Sequence, residues 1–121
     1  GEAQAESNYY LAEFEFVQAK YEASNERIFW MIDNLPTYPQ WRWKSLLLMA
    51  KNYAGLQDDF QANYTLDFII ENADFGTLAQ EAQQFKADLA LSRERESQMT
   101  FGVDSLKVEG SELEELEEIE E

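Results

Sequence analysis

The sequence predicts an all-α fold, and three observations carry that expectation. Only 5 Gly and 2 Pro occur in 121 residues, whereas a sheet protein needs a turn residue about every 8 to 12 positions. Ala, Leu, Glu, Gln and Lys, which lose little entropy in a helix, supply much of the rest. Apolar residues recur at helical spacing, first Tyr10, Phe14, Val17 and Tyr21, then Ile28, Met31, Ile32 and Leu35. With 45% hydrophobic content, the chain is long enough to bury the core of one domain.

Two helices are expected over roughly 5–19 and 22–34, turning near Ala19–Tyr21. No breaker marks that turn, so one long helix is the competing reading. Leu35-Pro36-Thr37-Tyr38-Pro39 is the clearest punctuation. Pro36 ends the preceding helix, and Pro39 suits the first turn of the next, where its missing N–H costs nothing. A third helix follows over about 39–55, closed by Gly55. Asp58-Asp59-Phe60-Gln61 reads as a capping box that opens a fourth helix to about Asn72. Asp74-Phe75-Gly76-Thr77 interrupts the pattern, and Thr77 is the expected N-cap of a fifth, capping helix over 77–95. These elements make a helical domain over 1–95, with units at about 5–36 and 39–74, followed by an acidic tail over 96–121. Within the tail, residues 100–105 read as a turn or short extended segment. Leu113, Leu116 and Ile119 stand three apart among glutamates. That pattern suits either a solvated, disordered tail or a short amphipathic helix docking on a groove or on another copy.

Charge and composition narrow the function classes. Net charge is −16, of which −9 falls in residues 96–121. Nucleic acid and anionic membrane are therefore not expected partners, since phosphate binding needs the opposite sign. A regulator that mimics nucleic acid needs carboxylates spread over a folded face, whereas here the excess sits in the tail. Cys and His are both absent, which leaves no disulfide, no usual zinc set and no Ser-His or Cys-His nucleophile. No Asp-x-Asp-x-Asp-Gly loop or Gly-rich phosphate loop occurs, so no metal or cofactor is expected. The longest apolar run, Ser45–Ala50, is too short to cross a bilayer, and direct membrane insertion is not expected. The chain opens Gly1-Glu2-Ala3 without an initiator Met, so Gly1 reads as a cloning remnant ahead of an excised fragment.

The chain also repeats itself. Ile32-Asp33-Asn34 aligns with Ile70-Glu71-Asn72 at an offset of 38. At that offset Leu11-Ala12 pairs with Met49-Ala50, Ser24 with Ala62, Ile28 with Leu66, Trp30 with Phe68 and Met31 with Ile69. Each half is then one helix–turn–helix unit, and stacked units share a core that neither buries alone.

These residues resemble the tetratricopeptide repeat, whose first helix carries bulky, Leu, small and aromatic positions and whose second carries small, aromatic, small and Pro. Leu46, Met49, Ala50 and Tyr53 match the first-helix set, and Ala62, Leu66 and Ile69 the second, around the turn Gln57-Asp58-Asp59. Leu11, Ala12, Ser24, Ile28, Met31 and Pro36 match in the first unit. Glu15 stands where an aromatic belongs, Ile69 replaces a small residue, and the linking turn exceeds the roughly 34-residue repeat by about four. The resemblance covers residues 5–75, or to 95 with a capping helix. Leu46-Leu47-Leu48-Met49-Ala50-Lys51-Asn52-Tyr53 looks like repeats of bacterial envelope-associated members, which implies an envelope or periplasmic setting.

The resemblance further implies a concave surface that binds a protein or peptide. It faces Glu6, Tyr9, Glu13 and Phe16 of the first unit inward, with Lys44, Leu47, Lys51 and Ala54 of the second, and Arg42 and Asn52 nearby. Tyr9, Glu13, Phe16, Lys44, Leu47 and Lys51 are the expected partner-binding residues. Lys44 and Lys51 lie seven apart on one side of a helix in a chain with nine basic residues. They suit an acidic or mixed peptide, a description that this chain's own tail also meets, but without the full basic set of a carboxylate clamp. Of Trp41 and Trp43, two apart on a helix, one is expected in the core. Glu13/Glu15 and Asp58/Asp59 are not facing carboxylates, and catalysis is not expected. The alternative to a binding module is a structural bundle that forms a homodimer through its open end or its tail.

Overall fold

The computed structural model describes the backbone of residues 1–120 and the side chains of residues 1–102. Among the described residues there are helices and no strand: α1 (Glu2–Val17), α2 (Tyr21–Asn34), α3 (Pro39–Gly55), α4 (Asp59–Asn72) and α5 (Leu78–Glu120). None of them is long and apolar enough to cross a membrane. The chain divides into two compact units, Gly1–Lys86 and Ala87–Glu121, so the expected boundary at residue 95 falls inside α5.

Helices α1 and α2 are separate, which settles the competing reading of one long helix. The break is made by Ala19, whose φ of +61° lies in the left-handed region. The N–H of Lys20 then donates back to the Glu15 carbonyl at 2.9 Å, closing the helix end. Thirty-eight residues later the same device recurs. Gln57 has φ +64°, and the Asp58 N–H donates to the Tyr53 carbonyl at 2.9 Å. The other ends also match at this offset, since Asn34 Nδ2 bonds the Trp30 carbonyl and Asn72 Nδ2 the Phe68 carbonyl, both at 2.9 Å. The repeat is therefore structural as well as textual.

A left-handed alanine or glutamine carries a steric penalty that glycine lacks. Ala19→Gly and Gln57→Gly are each expected to stabilise the protein by about 0.5–1 kcal/mol, after the larger backbone entropy of glycine is allowed for. A rise in urea midpoint at unchanged m-value is the expected reading, and a fall would contradict the cap geometry.

α3 ends at Gly55 as expected, but the left-handed residue is Gln57, with Leu56 as C-cap. Gly55 instead makes room for Tyr21, since a Cβ there would lie 2.5 Å from the ring. Pro39 opens α3 at its first turn, and the Asp58 carboxylate caps α4 by accepting the Gln61 N–H at 3.2 Å. The expected end near Arg95 is not observed, and residues 100–105 are helical rather than turned or extended. One glycine costs only about 1 kcal/mol in a helix interior, so Gly102 by itself does not end α5. Whether the tail's leucines dock on a groove concerns side chains outside the described residues.

The core of the first unit runs in three clusters. Ala5 and Met31 pack with Trp41; Ala12 and Ile28 pack with Leu48 and Met49; Leu47, Ala50, Leu66 and Ile69 pack with Leu78 and Ala82. Helix α3 thus lies against both α1 and α2, as the start of α5 lies against α3 and α4. Trp41 is the core tryptophan, while Trp43 is half-buried against Phe68. On α1 the sequence stripe of Tyr10, Phe14 and Val17 is exposed, and the buried face is Ala5, Asn8 and Ala12. Small residues let helix axes approach closely, so they, and not the large ones, mark the α1 crossing.

Candidate functional site

Within the first unit, the concave positions of the two repeats converge on one groove. Tyr9, Glu13, Phe16 and Val17 come from α1, Lys44, Leu47, Leu48 and Lys51 from α3, and Leu78 and Glu81 from the first turn of α5. Their spacings are the three- and four-residue steps that place side chains on one face of a helix. All six residues expected to bind a partner line this groove, which encloses ≈ 330 Å³. Buried Leu47, Leu48 and Leu78 make an apolar base.

The polar groups are arranged around that base. Lys44 Nζ sits 5.0 Å from the centroid of the Trp41 ring, and Lys51 Nζ 5.8 Å from that of Phe85. The rings offer their negative faces and hold the ammonium groups by cation–π attraction. Among the described residues neither lysine has a carboxylate at ion-pairing distance, although Glu13 and Glu81 line the same groove. The basic residues beyond the groove are placed differently. Arg27 pairs with Glu15, and Lys86 pairs with Asp67 at 2.5 Å. The Glu13 carboxylate lies beside the Tyr9 hydroxyl. Burial first, and then that carboxylate, push the Tyr9 phenol well above the usual value. Tyr9 therefore stays a neutral donor throughout the physiological range.

Compared with known proteins, the chain matches no family model, no curated protein and no solved structure. The functional reading therefore stands on the groove and the residues that form it.

Other residues placed near this surface by the sequence lie elsewhere. Asn52 is fully buried and donates to Ser24 Oγ at 2.7 Å and Asn25 Oδ1 at 3.0 Å. Arg42 reaches Thr37 Oγ1 at 3.1 Å, Ala54 is buried, and Glu6 is exposed outside the groove. Sequence reasoning missed Val17, Leu48, Leu78 and Glu81. Leu78 and Glu81 were hidden because the fifth helix was read only as a cap, yet their three-residue spacing was visible.

Chemically, the groove offers apolar burial, two ammonium groups, two carboxylates and a phenol donor. No group of three or more metal-ligating side chains is assembled among the described residues.

Proposed function

We propose that the first unit is a tetratricopeptide-like protein-interaction module that binds a peptide segment of its partner in the α1–α3–α5 groove. One observation carries this reading. Six positions that the tetratricopeptide resemblance implies face inward line a single groove, whose central helix presents two cations that the described residues leave without a carboxylate. The equivalent helix ends at an offset of 38 support the repeat architecture on which that nomination rests.

The ligand's chemistry follows from the spacing. Lys44 and Lys51 are seven residues apart on α3, which is about 10 Å along a helix. In an extended peptide, acids three residues apart span about the same distance. An apolar side chain between them meets Leu47 and Leu48. Acid-x-x-acid peptides with an apolar residue inside are therefore the preferred class.

The test is selection from a displayed peptide library against the full chain, followed by affinity measurements with Lys44→Glu/Lys51→Glu. Selected peptides are expected to carry this pattern. Loss of two charge-assisted contacts, each worth about 1.5–3 kcal/mol, is expected to weaken binding at least tenfold. The variant's helical circular dichroism is expected to match the parent's, because both lysines lie outside the core. Peptides that bind parent and variant equally well would sink the proposal.

A further inference from the structure

The two units of the repeat treat one face differently. On α3, Ser45, Leu48, Met49 and Asn52 lie at i, i+3, i+4 and i+7, and all are buried. That face is turned onto α1 and α2: Leu48 and Met49 pack with Ala12 and Ile28, and Asn52 bonds Ser24 and Asn25. Thirty-eight residues earlier, the same positions of α1 are Ser7, Tyr10, Leu11 and Phe14. Here Tyr10 is 51% exposed, Leu11 50% and Phe14 61%, even though the Tyr10 ring edges onto Trp41. A contiguous set of large apolar side chains facing water marks an interaction surface more often than a solvent face. Beside it, Leu11, Ala23 and Trp30 line a cavity of ≈ 590 Å³ between α1 and α2.

We propose that this face of α1 receives a further helix–turn–helix unit of the same design, one with lysine or arginine at its groove-side positions. The repeat itself supplies the occupant. The α1–α2 hairpin covers the face of α3 with Ala12 and Ile28, so the face of α1 calls for a hairpin that presents a comparable small-plus-branched surface. A second copy of this chain does not offer one. Its equivalent surface, Ala50 and Leu66, is already covered by Leu78 and Ala82. Copies meeting α1 to α1 would oppose Glu2, Glu6 and Glu13 to themselves, with no basic residue in α1 to offset them. Charge also selects the incoming unit. Where α3 places Lys44 and Lys51 beside an acidic α1, α1 has Glu6 and Glu13, so the complementary neighbour is basic. This inference is independent of what the groove binds.

The test is a tandem chain in which residues 1–38 are repeated ahead of the complete protein, in register with the offset. The added copy alone carries Glu6→Lys/Glu13→Lys. The melting temperature is expected to rise by about 5 °C or more. Amides of α1 in the original copy are expected to exchange at least about tenfold more slowly. Leu11→Glu in the original copy, a substitution at an exposed position, is expected to remove both effects. A tandem chain that melts and exchanges like the parent overturns the proposal. An added copy that keeps Glu6 and Glu13 and stabilises equally at low salt overturns the charge assignment. A parent chain that sediments as a dimer with α1 already protected overturns the choice of occupant in favour of a second copy.

Discussion

Ile28→Ala is expected to remove about 3–4 kcal/mol of stability, a large share of the roughly 5–15 kcal/mol typical of a domain. Ile28 is 0% exposed and sits on α2 between Ala12 of α1 and Leu48 and Met49 of α3. Truncation opens a cavity where three helices meet. Ala12 has no side chain that can swing into the space, so the site collapses poorly, and poor collapse raises the cost. The urea midpoint is expected to fall with the m-value unchanged, and the melting temperature to drop by more than about 10 °C. Leu66→Ala, the equivalent position in the second repeat, is expected to behave alike. Phe29→Ala is the internal control: its ring is adjacent in sequence but exposed, and its removal is expected to cost under about 1 kcal/mol. Equal losses for Ile28 and Phe29 would mean that α2 presents a different face to the core.

The contrast between Ile28 and Phe29 shows which parts of the fold could be read from residues alone. Wherever a side chain has a local physical effect, the element boundary was legible. Pro36 and Pro39 separate α2 from α3, and Asp58 caps α4. The α1–α2 turn has no such mark, because Ala19 adopts the left-handed conformation without being glycine. The burial of α1 was misread for a different reason. Periodicity finds an apolar stripe but does not say what lies against it, and Tyr10, Phe14 and Val17 form a stripe that nothing in the first unit covers. Small residues at the helix crossing, Ala5 and Ala12, were the better signal.

The groove was legible to a similar depth. The tetratricopeptide resemblance nominated Tyr9, Glu13, Phe16, Lys44, Leu47 and Lys51, and these line one cavity because each helix keeps its own face in register. Spacing does not reveal which neighbouring helix completes the wall, so Leu78 and Glu81 emerged only when the start of α5 was seen against α3 and α4. Nor does it distinguish a polar residue facing a groove from one buried between helices. Asn52, eight residues after Lys44, has turned through more than two helical turns and faces α2 instead.

That buried position carries the second large prediction. Ser24 Oγ donates to the Ala12 carbonyl at 2.7 Å and accepts from Asn52 Nδ2, which also donates to Asn25 Oδ1. The network ties α1, α2 and α3 together, and it leaves Asn52 Oδ1 buried without a partner. Asn52→Leu removes two donated bonds but also removes that orphaned oxygen, so the expected cost is only about 1 kcal/mol. Asn52→Asp is expected to cost about 3 kcal/mol or more at neutral pH. The amide donor becomes a charged acceptor, set against Asn25 Oδ1 at a fully buried position. The penalty has a pH signature. Burial and the facing oxygen raise the introduced carboxyl above its unfolded value of about 3.9. The folded state then binds more protons than the unfolded state, so stability falls as pH rises through this window. Below about pH 4 the protonated carboxyl donates to Asn25 Oδ1 again. Relative to the parent at each pH, Asn52→Asp is therefore expected to regain much of its lost stability on acidification, while Asn52→Leu shows no such recovery. Parallel pH profiles for the two variants would mean that the amide at position 52 is not a donor to Asn25.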